Sequence, residues 1–330
     1  MPRGGLVAVF ALTLVVVPAR PARADRGTFA RLANEAHHAL ARDLAAKSPK
    51  LVPPVPVKVT WKPVRIGSLD VGGALVALGA ADLDGDGRAE LYAVTTREVV
   101  AIGAANKKAV ELGRVAYTGA AAVPASRDPV GTITVDQGQI VASTSAWDLE
   151  LRVSRQGGAL VGQLGSAGSL VCPGERLLRV PGRNHFGDLQ QPLYGVRCAK
   201  LVDPLGAPLS VRGALVGTRL EVTIERCTPT GCLPVAKHEL KDYGSAFAVA
   251  DVDRDGKPEV IVTGAGAPGD ADAVKVITLG GDEKKGLFRR TFNGGVVGVV
   301  VADADGDGTA EVIAAVRLAG ATRVDLWRLD

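Results

Sequence analysis

The sequence predicts an all-β fold made of about five repeated four-stranded sheets, and three observations lead to this prediction. From about residue 57 onward, short β-branched runs alternate with Gly, Pro, Asn and Asp, which is typical of strands joined by turns. An acidic motif, D-x-D-x-D-G-x-x-E followed by an apolar run, occurs three times without a gap. Its last two copies are 52 residues apart, from Asp255 to Asp307, which suits a four-stranded unit and is too long for a hairpin.

The other repeats are degenerate and are placed by alignment with the first acidic motif. Asp136, in VDQGQIVAST, takes the second place, and Asp188, at the start of DLQQPLYGV, takes the third. The second alignment matches three residues, Leu193, Tyr194 and Val196, to Leu91, Tyr92 and Val94. The steps between the five units are then 50, 52, 67 and 52 residues, and the longest contains the Cys227–Cys232 hairpin.

Such sheets bury both faces and protect their edges when they are arranged radially. The predicted fold is therefore a β-propeller of about five four-stranded blades. A linear solenoid would need capping repeats at both ends, and the sequence shows none. The last unit is one strand short, whereas VKVTWKPVRI, from Val57, has no partner before the first unit. We expect the ring to close by pairing Val57–Lys62 with the strand around Thr322–Leu329.

The N-terminal residues predict export. Residues 1–24 have a basic start, an apolar run from Leu6 to Val17 and an A-x-A pattern, which is typical of a signal peptide cleaved before Asp25. The apolar run is short of the about 20 residues that span a bilayer, so no membrane span is expected after cleavage. Residues 25–56 predict a short amphipathic helix and a proline-rich linker, and the propeller takes residues 57–330.

The four cysteines lie in the middle third of the chain: Cys172, Cys198, Cys227 and Cys232. In an exported chain such residues are expected to form disulfides. Three pairings are possible, and the shortest loops come from Cys227 with Cys232 and Cys172 with Cys198. The spacing does not suit a zinc site. A secreted or periplasmic location is expected.

Charge gives limited information about partners. Without the signal peptide the chain has 36 basic and 35 acidic residues, and twelve of the acids lie in the three motifs. The rest of the surface is thus mildly basic, which suits acidic glycans or a membrane surface but also scattered solubilising arginines. No basic run with interleaved aromatic residues indicates nucleic-acid binding. We expect a monomer.

The acidic motifs predict a metal site. Carboxylates at this density raise one another's pKa unless a cation or many hydrogen bonds offset their repulsion. Alternate aspartates with glycine at position six can curl around one centre, and hard oxygen donors suit Ca²⁺. An EF-hand has its bidentate glutamate at position twelve, where this chain has Ala93, Val262 and Ala314. The EF-hand is excluded, and the alternative is a metal-free turn held by internal hydrogen bonds.

At these motifs the sequence resembles the FG-GAP or VCBS repeat proteins, which include the calcium-binding blades of integrin alpha-chain propellers. The resemblance implies a structural Ca²⁺ loop between the first two strands of a blade, with about three ions in all. Side chains at positions one, three, five and nine and the carbonyl at position seven would be the ligands. The implied metal residues are Asp82, Asp84, Asp86, Arg88 and Glu90; Asp251, Asp253, Asp255, Lys257 and Glu259; and Asp303, Asp305, Asp307, Thr309 and Glu311. Two features depart from the family, namely glutamate rather than aspartate at position nine and about five units rather than the seven blades of integrins.

The leading functional interpretation is an exported calcium-binding module that binds or scaffolds a protein or glycan of the cell envelope. A carbohydrate-binding lectin is one alternative, with few stacking residues because Trp61, Trp147 and Trp327 are the only tryptophans. A polysaccharide- or ester-cleaving enzyme with its site at the propeller channel is another. No catalytic motif accompanies the four histidines, His37, His38, His185 and His238, so no catalytic or organic-cofactor residue is predicted.

Overall fold

The structure is a computed structural model that describes residues 58–105, 108–122, 130–166, 169–172, 175–177, 195–203, 205–216, 219–228, 231–266, 270–280, 286–317 and 322–330. The predicted signal peptide, helix and linker lie outside these residues, as do Asp188, Leu193 and Tyr194. Within them, no helix combines the length and the apolar character needed to cross a membrane.

The described residues form β-strands, which in chain order are β1 (Pro63–Asp70), β2 (Leu75–Ala81), β3 (Glu90–Thr95), β4 (Glu98–Ala105), β5 (Lys108–Ala116), β6 (Gly131–Asp136), β7 (Gln139–Thr144), β8 (Leu151–Gln156), β9 (Ala159–Leu164), β10 (Ser169–Cys172), β11 (Glu175–Leu177), β12 (Val196–Val202), β13 (Pro208–Val216), β14 (Arg219–Thr228), β15 (Gly231–Lys241), β16 (Ala248–Ala250), β17 (Glu259–Val262), β18 (Asp272–Thr278), β19 (Phe288–Phe292), β20 (Gly295–Ala302), β21 (Glu311–Arg317) and β22 (Arg323–Leu329).

Five antiparallel four-stranded sheets form the blades of a propeller ring, which confirms the predicted fold class. Blade 1 is β2–β5, blade 2 is β6–β9, blade 3 is β12–β15 and blade 4 is β16–β19. Blade 5 contains β20, β21 and β22, and its fourth strand is the N-terminal β1. A two-stranded hairpin, β10–β11, contacts blade 2 and blade 3 through β10.

The first strand of each blade faces the centre of the ring. Strands β2, β6, β12, β16 and β20 all contribute to one central channel with a volume of about 270 Å³. Its lining is mainly aliphatic, for example Leu78, Ile133 and Val300, and Arg197 adds a guanidinium. Burial lowers the pKa of Arg197 to about 10.

The apolar core lies between neighbouring blades, which explains why the second strands have continuous apolar sequences. Alternate residues of a strand point to opposite faces. On β3, Leu91 packs in the cluster shared with blade 5, whereas Tyr92 packs in the cluster shared with blade 2. On β17, Val260 faces blade 3 and Ile261 faces blade 5. Each of these four side chains is at most 1% exposed, so the stacking of blades supplies the hydrophobic stabilisation.

Ring closure uses the N-terminal segment as predicted, but with a different stretch of it. β1 pairs antiparallel with β22, from Pro63 opposite Leu329 to Asp70 opposite Arg323. The predicted stretch Val57–Lys62 is thus wrong by several residues: Val57 lies outside the described residues, and the backbone N–H of Lys62 donates to Asp330 O at 2.7 Å. The physical reason is burial, because Ile66 on β1 packs into the core shared by blades 5 and 1.

The third repeat also differs from its predicted alignment. Val196 was matched to the second strand of a blade, but it begins β12, the innermost strand of blade 3. The turn between the first two strands of this blade contains Asp203. The long step of 67 residues therefore runs from Asp136 to Asp203 and includes the β10–β11 hairpin. A matching run of residues such as LYGV cannot distinguish one strand of a blade from another when both are buried.

Both predicted disulfides are confirmed. Cys227 and Cys232 close the β14–β15 hairpin with a Cα–Cα distance of 4.0 Å. Cys172 and Cys198 join β10 to β12 with a Cα–Cα distance of 5.7 Å. The second bond fixes the extra hairpin to the innermost strand of blade 3.

Candidate metal centres

Three acidic loops, residues 82–90, 251–259 and 303–311, join the first and second strands of blades 1, 4 and 5. In each loop the aspartates at positions one, three and five bring one carboxylate oxygen apiece within 4.8 Å of one another. In the blade 5 loop, Glu311 joins the same cluster. The structure thus gathers the predicted aspartates, while their role as metal ligands remains a prediction.

The aspartates fold each loop through hydrogen bonds to its own backbone. The carboxylate at position one accepts from the N–H at position six, with Asp82–Gly87, Asp251–Gly256 and Asp303–Gly308 distances of 2.9, 2.9 and 2.8 Å. The carboxylate at position five accepts from the N–H at position seven, with Asp86–Arg88, Asp255–Lys257 and Asp307–Thr309 distances of 2.8, 2.8 and 2.7 Å. These bonds hold the chain curled around the carboxylate cluster.

Positions four and six adopt left-handed backbone conformations. At position six, φ is +86° for Gly87, +81° for Gly256 and +84° for Gly308. At position four, φ is +77° for Gly85 and Gly306 but +57° for Arg254. A side chain with a Cβ costs free energy in this region. The glycine at position six was identified from the sequence as common to the three motifs. The repeated GDG of the first and third motifs is the sequence signal for a left-handed residue at position four.

The glutamate at position nine is the buried first residue of the second strand, with exposures of 6% for Glu90, 0% for Glu259 and 3% for Glu311. In every loop its Oε2 accepts the backbone N–H of position two, with distances of 3.1, 3.1 and 3.0 Å. One carboxylate oxygen therefore anchors the loop to the strand, and Oε1 remains for another partner.

In blade 4, the described protein atoms include no hydrogen-bond partner for this Oε1. Glu259 Oε1 and Asp251 Oδ1 are both buried without a hydrogen-bond partner, and so is Asp305 Oδ1 in blade 5. Carboxylate oxygens can only accept, so a buried one needs a donor or a cation. The donor set is composed of oxygens alone, which suits Ca²⁺. The residues present therefore fit a hard divalent cation.

Burial strongly shifts the pKa values of the carboxyl groups in the blade 4 loop. Burial, followed by the charge of Asp253, raises the pKa of Glu259 to about 8. Burial also raises the pKa of Asp251 and Asp253 above the ordinary aspartate value. In blade 5, burial raises the pKa of Glu311 to about 7. Without a cation, Glu259 therefore favours its protonated form at neutral pH.

Arginines from other strands contact two of the loops, and sequence analysis did not identify them. In blade 1, Arg155 on β8 of blade 2 donates to Glu90 Oε1 at 3.0 Å, and its Nε lies 3.7 Å from Asp84 Oδ2. In blade 5, Arg328 on β22 forms an ion pair with Asp305. Their distance in sequence from the motifs left no signal that could have found them.

The turn of blade 3 has one aspartate paired with a guanidinium, whereas the loops of blades 1, 4 and 5 each gather several carboxylates. Asp203, in the equivalent turn, accepts the N–H groups of Leu205 and Ala207 at 2.9 and 2.8 Å. Its other oxygen accepts from Arg226 at 2.9 Å. The backbone bonds, chiefly that of Ala207, lower the pKa of Asp203. The D-P-x-G sequence of this turn was the signal for it.

The three acidic loops contact one another around the ring. The N–H of Ala89 in blade 1 donates to Asp303 O in blade 5 at 2.8 Å. Arg254 in blade 4 reaches Gly308 O in blade 5 at 3.4 Å. The loops of blades 4, 5 and 1 thus form one continuous row on one face, and this row crosses the blade that the two chain ends share.

Comparison with known proteins identifies the repeat. Residues 251–314 match the FG-GAP-like repeat family, a stretch that includes the acidic loops of blades 4 and 5. No curated protein matches the chain. Among solved structures, a Tc holotoxin pore from Photorhabdus luminescens is similar with 13% identity and a TM-score of 0.35. That match covers 84% of this chain and 15% of the holotoxin chain. The protein is thus a five-bladed β-propeller that carries FG-GAP-like repeat sequence in its fourth and fifth blades.

Proposed function

We propose that this protein is an exported calcium-binding β-propeller that acts as a binding or scaffolding module, in which calcium has a structural role. The observation that carries the proposal is a pair of buried carboxylate oxygens in the blade 4 loop, Asp251 Oδ1 and Glu259 Oε1, that have no hydrogen-bond partner in the part of the chain that the structure describes. A five-bladed ring with an FG-GAP-like repeat fits a binding module. The ligand is a protein or glycan of the cell envelope.

The residues that would hold the ion are those of the predicted ligand set. In blade 4, Asp251, Asp253 and Asp255 supply converging carboxylates, Glu259 supplies Oε1, and Lys257 supplies its carbonyl. A bound Ca²⁺ contributes the positive charge that offsets the repulsion among these groups. The backbone hydrogen bonds to the aspartates hold the ligands in place before an ion arrives.

The three loops are not equivalent. The blade 4 loop contains two buried oxygens without partners among the described residues, and the one ion pair shown there joins Asp255 to the exposed Lys257. In blade 1, Arg155 already pairs with Glu90, and in blade 5, Arg328 pairs with Asp305. A guanidinium beside a ligand carboxylate repels an incoming cation. We therefore assign the highest calcium affinity to blade 4 and lower affinities to blades 1 and 5.

Export is supported by the two disulfides, because disulfides persist in oxidising compartments. We assign the protein to the periplasm or the extracellular space, with the chain beginning near Asp25 after cleavage of residues 1–24. Intact-mass measurement of the protein from the envelope fraction tests this assignment. Recovery of the complete chain from Met1 in the cytosol would overturn it.

Calorimetry tests the calcium proposal. Titration of Ca²⁺ into chelator-treated protein should show saturable binding, and the melting temperature should rise with Ca²⁺. At 100 times Kd, each occupied site adds about 2.7 kcal/mol to the stability. Magnesium should restore the melting temperature poorly, because its small octahedral shell fits a flexible oxygen loop badly.

Two aspartate variants complete this test. Asp255→Ala should remove one site and most of the calcium-dependent rise in melting temperature that belongs to blade 4. Asp136→Asn is the matched control, because Asp136 ends β6 in the equivalent turn of blade 2, outside the acidic loops. Identical melting curves in chelator and in millimolar Ca²⁺, with no binding heat, would show that the loops are metal-free turns.

A further inference from the structure

Besides the central channel, a pocket with several polar side chains lies on blade 4, away from the acidic loop of that blade. It has a volume of about 240 Å³. Its lining comes from the connection between blades 3 and 4, from Thr263, Gly264 and Ala271 between β17 and β18, and from strands β18 and β19. The acidic loop leaves from the other end of β17, so the pocket is on the opposite face of the propeller. Its wall contains Tyr243, Lys275, Arg289 and Thr291.

The pocket has a rigid frame. Tyr243 bridges to Gly264 across the entrance to β16, and the N–H of Gly244 donates to Thr263 O at 2.9 Å. The carboxylate of Asp272 accepts three backbone N–H groups, those of Gly264, Ala273 and Val296, at 2.8, 2.6 and 3.2 Å. Asp272 therefore holds the pocket together, and its charge, like that of Asp242, partly offsets the two cations of the lining.

Two cations face each other in this wall. Lys275 on β18 and Arg289 on β19 are directly opposite in the strand register, where like charges destabilise a sheet. Among the described residues, neither forms an ion pair, and Lys275 Nζ contacts the Tyr243 ring at 5.8 Å from its centroid. In blade 3 the cations have acidic neighbours instead, as with Lys237 Nζ, which lies 2.9 Å from Glu221 Oε2.

The remaining lining defines what the ligand must offer. Tyr243, which is 7% exposed, contributes an aromatic surface, and Thr291 contributes a hydroxyl. The exposed Asp242 at the rim repels a bare anion but accepts hydrogen bonds from hydroxyl groups. The volume is below the roughly 300 Å³ at which pockets for drug-sized molecules begin. These properties together fit a small ligand with one negative group for the two cations and several hydroxyl donors for the acceptors.

We propose that this pocket binds a sugar acid, a single uronic acid residue or one such residue of an acidic glycan, with its carboxylate between Lys275 and Arg289. Charge-assisted hydrogen bonds from two cations fix the carboxylate, and Asp242 and Thr291 bind the hydroxyls. This assignment rests on the proposed role as a binding module and names its ligand class. It places the ligand on the face opposite the calcium loops.

Matched ligands test the charge and the sugar separately on the complete mature protein in calcium. Isothermal titration calorimetry should detect D-glucuronic acid, but neither glucose nor the methyl ester of glucuronic acid, which keeps the ring and hydroxyls without the charge. A triglutamate peptide provides the charge without the sugar and should bind far more weakly. Equal binding of the peptide, or the absence of glucuronate binding, would overturn the proposal.

Variants locate the site. Lys275→Gln and Arg289→Gln should each weaken glucuronate binding by about tenfold, as expected for the loss of one charge-assisted hydrogen bond. Arg290→Gln is the matched control, because Arg290 is the next residue on β19 and contacts Trp327 instead. Equal loss in all three variants would overturn the location. Calcium titration of each variant should be unchanged, which separates failure of this site from failure of the calcium proposal.

Discussion

At the scale of single residues, the acidic loops depend on left-handed backbone positions as much as on carboxylates. Gly308 has φ +84°, and a Cβ built there meets nothing within 4 Å. Any loss of stability on adding a Cβ at this position therefore comes from the backbone conformation and not from a steric clash. This makes position six a clean test of why the motif contains glycine.

Gly308→Ala should lower the free energy of unfolding by roughly 1 to 2 kcal/mol, the cost of a left-handed conformation for a residue with a Cβ. Urea unfolding in chelator measures it. Gly266→Ala is the control, since Gly266 also has open space around its Cβ but no left-handed φ. Similar losses in both variants would mean that the conformation is not the cause.

The buried glutamate of blade 4 predicts a pH dependence of the metal-free protein. The pKa of Glu259 is raised to about 8 in the folded state from an ordinary value of 4.5. The unfolded chain therefore ionises first, so the stability from the protonated group is complete below about 4.5 and is lost as the pH rises through about 8. In chelator, the melting temperature should fall between pH 5 and pH 8.5.

Differential scanning calorimetry checks this dependence with Glu259→Gln as the reference. The neutral amide does not titrate, so the difference in melting temperature between the two proteins should change in this pH range. Saturating Ca²⁺ should flatten the curve of the unaltered protein. A difference that stays constant with pH would contradict the assigned pKa.

At the scale of elements, the turns between the first two strands of blades 1, 3, 4 and 5 all contain aspartate, but they balance its charge differently. Blade 3 pairs Asp203 with Arg226, and blade 1 pairs Glu90 with Arg155 from the next blade. In blade 4, two buried carboxylate oxygens have no hydrogen-bond partner among the described residues. A guanidinium offsets the charge of a carboxylate as a bound cation would, so under the proposed function the turns without a guanidinium are those that depend most on calcium.

Arg155→Gln should therefore have two opposite effects. Loss of the cation should strengthen calcium binding in blade 1 by about tenfold, or about 1.4 kcal/mol, and should destabilise the metal-free protein because Glu90 is left buried without its partner. Calcium titration and melting in chelator measure the two effects. Arg152→Gln is the control, since Arg152 lies on the same strand and pairs with Glu150 at 2.9 Å. Unchanged binding in Arg155→Gln would contradict the ranking of the sites.

At the scale of the whole molecule, stability depends on closing the ring. Blade 5 combines the two ends of the chain, β1 with β22. Arg65 and Asp325 form an ion pair across this seam at 2.7 Å, and the row of acidic loops crosses the same blade. An open ring would expose the edge of β22, and exposed edges pair with other chains.

A chain that begins at Val71 should consequently aggregate and melt at a lower temperature than one that begins at Lys58, which retains β1. Size-exclusion chromatography and calorimetry compare the two. Added peptide of residues 58–70 should partly restore the monomer, because it can refill the vacant edge. If the shorter chain stays monomeric with an unchanged melting temperature, β1 is dispensable for closure.

The sequence alone determined the features that depend on short-range chemistry. The strand and turn pattern, the three acidic motifs and the repeat length near 52 residues were readable because each follows from residue type and local spacing. Loop length favoured one of three possible cysteine pairings, and the structure has that pairing. The five-bladed ring followed as well, since four-stranded units of this kind have few ways to bury both faces.

Only the tertiary structure decided the features that depend on which strands become neighbours. The closing strand is Pro63–Asp70 because burial of Ile66 fixes its register, and Val196 begins an innermost strand because β12 contributes to the channel. Arg155 and Glu90 are 65 residues apart in sequence, and Lys275 meets Tyr243 through the packing of one blade on its connection. Contacts between blades depend on the angle between neighbouring blades and on their order around the ring, and no local sequence pattern encodes either.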